Sequence, residues 1–344
     1  MALNTGLSVD YFTGLLEREV NSVEPIDGGG NSRVLRVTTA DSSRFAAKIY
    51  PGLTADGQDR LTVESEALSF MHQHGIECVP QPIVSDSVNQ CAVFEFIEGA
   101  KVASNEVSEA DIDQATQFLA SLDNLKNGPD SSQLPRAAEA CFSFRDIIDN
   151  LDSRLARLEV TGAQGFLVAE FAPAFQRTVE WCEERISSAR ESMGTELAIN
   201  DRTLSPSDFG FHNAIRRDDG ELIFLDFEYF GWDDPAKMIS DFLLHPAMDL
   251  SPYLKARFVA TIAGNSPVLM ERLETVFPLF GLKWCLILLN AFLPEYRLQR
   301  GLDDSKLAET LERQLEKARL MLSTVEKAYE RFPYRDEEYT VNVT

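Results

Sequence analysis

The chain has 344 residues, 44% of them apolar, and its 55 acidic and 32 basic side chains give a formal charge of −23. That length and apolar content suit one large packed domain or two unequal ones and argue against a disordered chain. The acidity repels a phosphate backbone, so broad nucleic-acid binding is not expected, although a local basic pocket can still hold one nucleotide.

Five cysteines, Cys78, Cys91, Cys141, Cys182 and Cys285, form no C-x-x-C pair, which argues for reduced core residues and against a zinc site or a disulfide framework. Residues Met1 to Val20 lack a basic start followed by an apolar core, so no secretory signal is expected and the cytoplasm is the expected location. After Asp27-Gly28-Gly29-Gly30-Asn31-Ser32, the alternation of Val34, Leu35 and Val37, a polar turn at Asp41 to Ser43, and the run Phe45 to Tyr50 predict a hairpin. Asp59 to His72 change to helical spacing, with Leu61, Leu68 and Met71 on one face and Gly75 closing the helix. Pro80-Gln81-Pro82 then leads into Ile83-Val84, a turn at Asp86 to Asn89, and a strand-like run from Cys91 to Ile97 that ends at Gly99.

Beyond Gly99 long helical periods dominate. The division falls there: a small β-rich lobe with one main helix at 1–98, and a larger, mainly helical lobe at 99–344. Ser108 and Asp111 have capping-box spacing ahead of a stripe at Ile112, Ala115, Phe118, Leu119 and Leu122. Further helices are expected around Phe144 to Leu158, Ala169 to Glu191, Leu254 to Ile262, Met270 to Leu293 and Lys306 to Arg331. The most apolar stretch, Trp284 to Leu293, is about half the length a membrane helix requires and contains Asn290, so it reads as a core helix and no membrane span is expected. Ala198 to Leu225 interrupts the helices with two short apolar runs around a polar loop, followed by an acid-rich turn from Gly231 to Pro235.

Chemistry concentrates in four places. Gly28, Gly29 and Gly30, with Asn31 and Ser32, stand directly before a strand, where backbone N–H groups can approach phosphate oxygens; taken alone, such a triplet is also an ordinary loop. Lys48 lies among apolar neighbours in Phe45-Ala46-Ala47-Lys48-Ile49, and there it must reach a sheet edge or find an anion. Glu64 and Glu66 on the following helix are both candidate partners for Lys48. The segment from Leu204 to Asn213 contains D-x4-N at Asp208 and Asn213, and Leu222-Ile223-Phe224-Leu225 then leads to Asp226, thirteen positions beyond Asn213. Transfer of a phosphoryl group from ATP needs a backbone cradle, a cation on the phosphates, oxygen ligands for magnesium, and a carboxylate that accepts the acceptor's proton. Each requirement has a candidate, in workable order.

On these motifs the chain resembles, over nearly its whole length, the aminoglycoside phosphotransferase and choline kinase superfamily, small-molecule relatives of protein kinases. The resemblance implies an α+β, protein-kinase-like two-lobe fold and ATP with Mg2+ as cofactors. It makes Asp208 the catalytic base, Asn213 and Asp226 metal ligands, and Glu228, at the acidic position two residues later, a further member of the metal set. It makes Lys48 and Glu64 the nucleotide-aiming pair, Glu64 being preferred to Glu66 because its spacing to Leu68 fits the family pattern, and Val93 to Gly99 a hinge in which the backbone of Glu95, Phe96 and Ile97 meets adenine. Asp233-Asp234-Pro235 and Asp241 resemble the following turn and a buried aspartate that braces the catalytic loop. Where the family usually has histidine two residues before the base, this chain has Pro206, and where it often has histidine at the end of the first large-lobe helix, this chain has Asp123. His212, like His72, His74 and His245, is expected only to pack.

The acceptor implied is a small hydroxyl-bearing molecule such as an amino sugar, an amino alcohol or a sugar. Glu228, Asp233 and Asp234 would suit a cationic one, although magnesium binding and loop bracing already account for several of them. The alternative reading is a nucleotide-binding pseudokinase or regulatory module, supported by Pro206 and opposed by the joint presence of Lys48, Asp208, Asn213 and Asp226. Protein kinase activity is disfavoured because the stretch between Asp226 and Asp241 leaves no room for a long activation segment. Neither nucleic acid nor membrane is an expected partner.

Overall fold

The computed structural model describes residues 7–26, 32–51, 59–158, 161–188, 193–302, 304–328 and 331–335. Helix α1 (Val9–Leu16) starts where the Ser8 hydroxyl accepts the amide of Tyr11, and it buries Phe12 completely. Strands β1 (Val20–Ile26), β2 (Arg33–Thr39), β3 (Arg44–Ile49), β4 (Pro82–Asp86) and β5 (Cys91–Glu95) make one antiparallel sheet in the order β1-β2-β3-β5-β4. Alternation decides which side chains turn inward. Leu35 and Val37 from β2, Ala47 from β3 and Val93 from β5 meet Phe12 beneath the sheet. The predicted hairpin is β2–β3 and the predicted second strand pair is β4–β5, but β5 ends at Glu95, short of Ile97. Neither α1 nor β1 was among the predicted elements. Helix α2 (Arg60–Gln73) is capped by Asp59, which accepts the Thr62 amide at 3.3 Å, and joins β3 to β4.

At Gly99 the chain leaves the first sheet with φ +144°, and a Cβ there would lie 2.3 Å from the carbonyl oxygen of Arg216, so this crossing needs glycine. Strand β6 (Ala100–Lys101) follows. The capping box at α3 (Glu109–Leu125) forms in full: the Ser108 hydroxyl accepts the Asp111 amide at 3.3 Å, and Asp111 accepts the Ser108 amide at 2.7 Å. Beyond it come α4 (Phe144–Leu158), α5 (Gln164–Phe166) and α6 (Ala172–Ser188). Helix α6 starts later than expected because Leu167–Phe171 is wound as a wider π turn. Strand β7 (Thr203–Ser205) pairs with β10 (Gly231–Asp233), while β8 (Ala214–Arg216) lies between β6 and β9 (Leu222–Phe224).

Helices α7 (Pro235–Leu244), α8 (Pro252–Ala263), α9 (Pro267–Leu288), α10 (Pro294–Arg300) and α11 (Leu307–Ala328) complete the helical part. Four of them, α7 to α10, begin with a proline in the first turn, where its missing N–H leaves no helical bond unmade. The stretch 267–292 is long and apolar enough to cross a membrane by length and composition, but its most apolar 18-residue window, of mean hydropathy 1.6, is 78% buried inside the protein. It is the central core helix, packed by α7 and α11. All five cysteines are free thiols; burial pushes Cys91 and Cys141 up to about 12.

Candidate active site

The pattern of β3 turns Lys48 toward α2 and the cleft. Its Nζ lies 2.6 Å from Glu64 Oε2, 2.5 Å from Asp226 Oδ1 and 3.1 Å from Glu228 Oε2. Glu64 shares the buried face of α2 with Leu61 and Leu68, three before and four after it, whereas Glu66 is exposed. Glu64 is fixed from three directions. Lys48 and the Tyr50 hydroxyl donate to its Oε2, the latter at 2.6 Å, and the Phe227 amide donates to Oε1 at 3.1 Å. Glu228 is fully buried; it accepts from the Ser32 hydroxyl at 3.1 Å and pairs with Arg60 at 3.2 Å, whose guanidinium lies 4.7 Å over the Tyr229 ring. Gly28, Gly29, Gly30 and Asn31 lie outside the described residues. Tyr50 and Arg60 were not singled out in the sequence; the signal available was position, since Tyr50 follows Lys48 by two residues just beyond the end of β3 and Arg60 opens the helix that carries Glu64.

Here Glu64, Asp226 and Glu228 share two cations, Lys48 and Arg60. Burial pushes Asp226 up to about 6; Lys48 pulls it down and the two glutamates push it up. Glu228 sits below the ordinary carboxylate range despite its burial, because Lys48 and Arg60 hold its charge. Lys48 is raised, the pull of the carboxylates overcoming its burial. One negative charge is left in excess, and oxygens of Glu64, Asp226 and Glu228 lie within 4.8 Å of one another. Excess charge carried on hard oxygen donors fits a divalent cation such as Mg2+.

The loop after β7 carries the other half of the site. Ser207 has φ +68°, and the Asp208 amide donates to the Pro206 carbonyl at 3.0 Å. The Asn213 side-chain amide donates to the Asp208 carbonyl at 3.0 Å, and the Leu225 amide donates to the Asn213 carbonyl at 2.8 Å, tying the loop to the segment that holds Asp226. Asp226 has φ +67°, a left-handed conformation that aspartate tolerates better than most residues. Asp208 Oδ1 lies 3.2 Å from His212 Nε2 and 3.6 Å from His245 Nε2, and the two imidazoles stack at 4.0 Å, 1° from parallel. Burial raises the Asp208 carboxyl, but the histidines and Asn213 outweigh it and bring it below its usual value. The packing role expected of His212 is therefore corrected, since it hydrogen-bonds the aspartate, while His245 packs on His212 and Trp284 as expected and in addition comes within 3.6 Å of Asp208. His245, at the end of α7, carried no local signal for this contact.

The acidic turn behaves differently from the expectation of a cation-attracting surface. Asp233 is buried against Lys237 at 2.7 Å, and Asp234 caps α7 through the Ala236 amide while pairing with Arg272 at 2.7 Å. Their charges are neutralised internally and do not face an acceptor. Asp241 accepts from Trp284 Nε1 at 3.0 Å and pairs with Lys237 and Lys283. The Trp284 ring in turn meets His245, at the end of α7, edge-on at 4.8 Å, so among the described residues Asp241 lacks the direct contact with the loop that was expected of it and is linked to Asp208 only through Trp284 and His245. Asp123 pairs locally with Lys126 at 2.9 Å.

Between the sheet and the helical part lies a cavity of about 450 Å³, lined by Val34, Ala46, Lys48, Phe94 to Gly99, His212, Asn213, Ile215, Leu225 and Asp226. Its apolar middle is bounded at one end by the Glu95-Phe96-Ile97 segment and at the other by the lysine and carboxylates. The Glu95 amide donates to the Gln81 carbonyl at 2.8 Å and is therefore already used within the sheet.

Residues 22–260 match the profile of the phosphotransferase enzyme family. No curated protein matches the sequence. Among solved structures, a choline kinase from Streptococcus pneumoniae is 18% identical with a TM-score of 0.61, the match covering 92% of this chain and 97% of that one. A spectinomycin phosphotransferase in complex with ADP and spectinomycin is 12% identical with a TM-score of 0.63, covering 93% and 97%. An ethanolamine kinase from Plasmodium vivax is 13% identical with a TM-score of 0.58, covering 88% and 83%. At these identities the likeness is one of fold: mixed α+β, with a β-sheet N-terminal region and a helical C-terminal region, as in protein-kinase-like enzymes.

Proposed function

The chain belongs to the phosphotransferase enzyme family, and from that premise we propose that it moves the γ-phosphoryl group of Mg-ATP onto a hydroxyl of a small acceptor. The observation that carries this reading is the convergence on one cleft of Lys48, paired with Glu64 and Asp226, and of Asn213 from a separate loop, whose side chain is hydrogen-bonded to the Asp208 carbonyl. We place the lobe boundary at 98/99, with adenine held by the backbone of Glu95 to Ile97 and the phosphates beneath the loop from Gly28 to Ser32. Lys48, still aimed by Glu64, exchanges its contacts with Asp226 and Glu228 for phosphate oxygens. Asn213, Asp226 and Glu228 are the residues that would hold magnesium, which when bound neutralises charge on the phosphates. Asp208 orients the acceptor hydroxyl and takes its proton as the new O–P bond forms and the bond from the γ-phosphorus to the bridging oxygen breaks, leaving ADP. Amino sugars, amino alcohols and sugars are the acceptor classes to try.

The test is ADP release with Mg-ATP across a panel of these acceptors, run beside Asp208→Ala. Acceptor-dependent release that disappears in the variant, with nucleotide binding retained, is the expected result. Release that survives the substitution would remove Asp208 as the base. Nucleotide binding without release for any acceptor would favour a binding module instead.

A further inference from the structure

We infer that His212, hydrogen-bonded to Oδ1 of Asp208, and His245, stacked on it 3.6 Å from the same oxygen, form a clamp that holds Oδ1, which leaves Oδ2 as the atom that meets the acceptor hydroxyl and makes His245 a positioning residue for the transfer. The inference rests on the reading of Asp208 as the base. A carboxylate has two equivalent oxygens and turns freely about its last bond, so an aspartate used as a base needs one oxygen held. On the loop itself Pro206 offers no N–H for this purpose. The hold comes instead from His212, four residues on in the same loop, and from His245 at the end of α7.

The protonation pattern follows from the contacts. The Ala247 amide donates to His245 Nδ1 at 3.2 Å, so in the neutral ring the proton sits on Nε2, the nitrogen 3.6 Å from Asp208 Oδ1. His212 Nε2 lies 3.2 Å from the same oxygen, and an ionised carboxylate only accepts, so this nitrogen is protonated too. The parallel stack at 4.0 Å keeps the two N–H groups side by side. Behind His245 stands Trp284, edge-on at 4.8 Å and hydrogen-bonded to Asp241, so the ring is backed by α7 and α9 together. Asp208, His212 and His245 also have three potential donor atoms within 4.8 Å of one another, as a metal site would. The Ala247 amide opposes that use, because it places a proton on the nitrogen a metal would need.

The test pairs kinetics with spectroscopy. His245→Ala should lower kcat by about tenfold or more with KM for Mg-ATP within about twofold, because positioning is lost and nucleotide contacts are kept. His245→Gln, which can still present an N–H, should recover most of that loss. The double variant His212→Ala/His245→Ala should fall less than the product of the single losses. Wild-type kcat in His245→Ala beside a dead Asp208→Ala would overturn the clamp alone, whereas full turnover in Asp208→Ala would overturn the reading of the base. A two-bond 1H–15N spectrum of the histidine-labelled wild-type protein, which has four histidines, reads the tautomers without any acceptor. Proton on Nε2 of both His212 and His245 is expected, and an Nδ1–H form of His245 would overturn the clamp even if its variants fail to fold.

Discussion

Replacing Asp226 by asparagine should make the nucleotide-free protein more stable while it abolishes turnover. In the free protein Glu64, Asp226 and Glu228 share Lys48 and Arg60, and the Asp226 carboxyl is pushed up to about 6. Against about 3.9 in an unfolded chain, that shift of roughly two units corresponds to about 3 kcal/mol spent on keeping the group ionised in the fold above pH 7. The side chain keeps 34% of its surface open, so screening reduces the figure to about 1–2 kcal/mol. Asparagine retains an oxygen that can accept from Lys48 Nζ, now 2.5 Å from Oδ1. A net gain of about 1 kcal/mol would raise Tm by about 1–3 °C in a chain of this size. The sign follows from the raised folded pKa: stabilisation by the protonated aspartate is full below about 3.9 and is lost as pH rises through 6. The advantage of Asp226→Asn should therefore be about half its full size at pH 5 and full at pH 8. Differential scanning fluorimetry in EDTA at the two pH values measures it, and a lower Tm for the variant at pH 8, or a shift independent of pH, would refute the reasoning. With magnesium and nucleotide the order should invert, since ligand binding to the wild type adds stability by mass action.

Lys48→Met removes the cation shared by two buried glutamates and should cost about 3–5 kcal/mol, seen by calorimetry in EDTA, together with the loss of any nucleotide-induced rise in Tm. Gly99→Ala should cost more than about 2 kcal/mol in urea unfolding, because the new Cβ meets the Arg216 carbonyl at a φ that disfavours side chains; Gly75→Ala, at φ +78° with open space, should cost only about 1 kcal/mol. His245 is pushed down to about 4, chiefly by burial and then by His212, so its neutral form stabilises the fold above about pH 6.5 and that stability, up to about 3 kcal/mol, is lost as pH falls toward 4. In His245→Gln the slope of unfolding free energy against pH between these limits should flatten; an unchanged slope would show that the ring is not buried neutral.

The gathering of Lys48, Glu64, Asn213 and Asp226 around one cleft, with Asp208 tied to Asn213, was legible because each sits in a short segment whose strand, helix or loop character is written locally. Glu64 was preferred to Glu66 for its family-like spacing to Leu68, and the structure puts Glu64 and Leu68 together on the buried face of α2. Arg60, Tyr50 and His245 were not legible in the same way, since their contacts depend on how separate elements pack. The acidic turn misled for a related reason. A charge count registers Asp233 and Asp234, but their neutralising partners, Lys237 and Arg272, become visible only when α7 and α9 are in place. Strand β1 escaped notice because VNSVEPI carries polar residues and a proline, as an edge strand does. The run to Ile97 reads as continuous strand by composition, yet β5 stops at Glu95, where the chain turns toward Gly99.

The interval between Asn213 and Asp226, which looks like a fixed motif spacing, is the contour of a hairpin. Ala214 is registered opposite Phe224, so the two residues flanking that hairpin are brought together by strand pairing, whatever the length of the turn at its far end. The exposed tip at Asp218 and Asp219 is thus a place where the chain can grow without moving Asn213 and Asp226 apart. A fluorophore or a small inserted tag at that tip would ride on the hairpin that pairs with β6, just after the Gly99 crossing, and on the proposed two-lobe division it would report movement between the two parts.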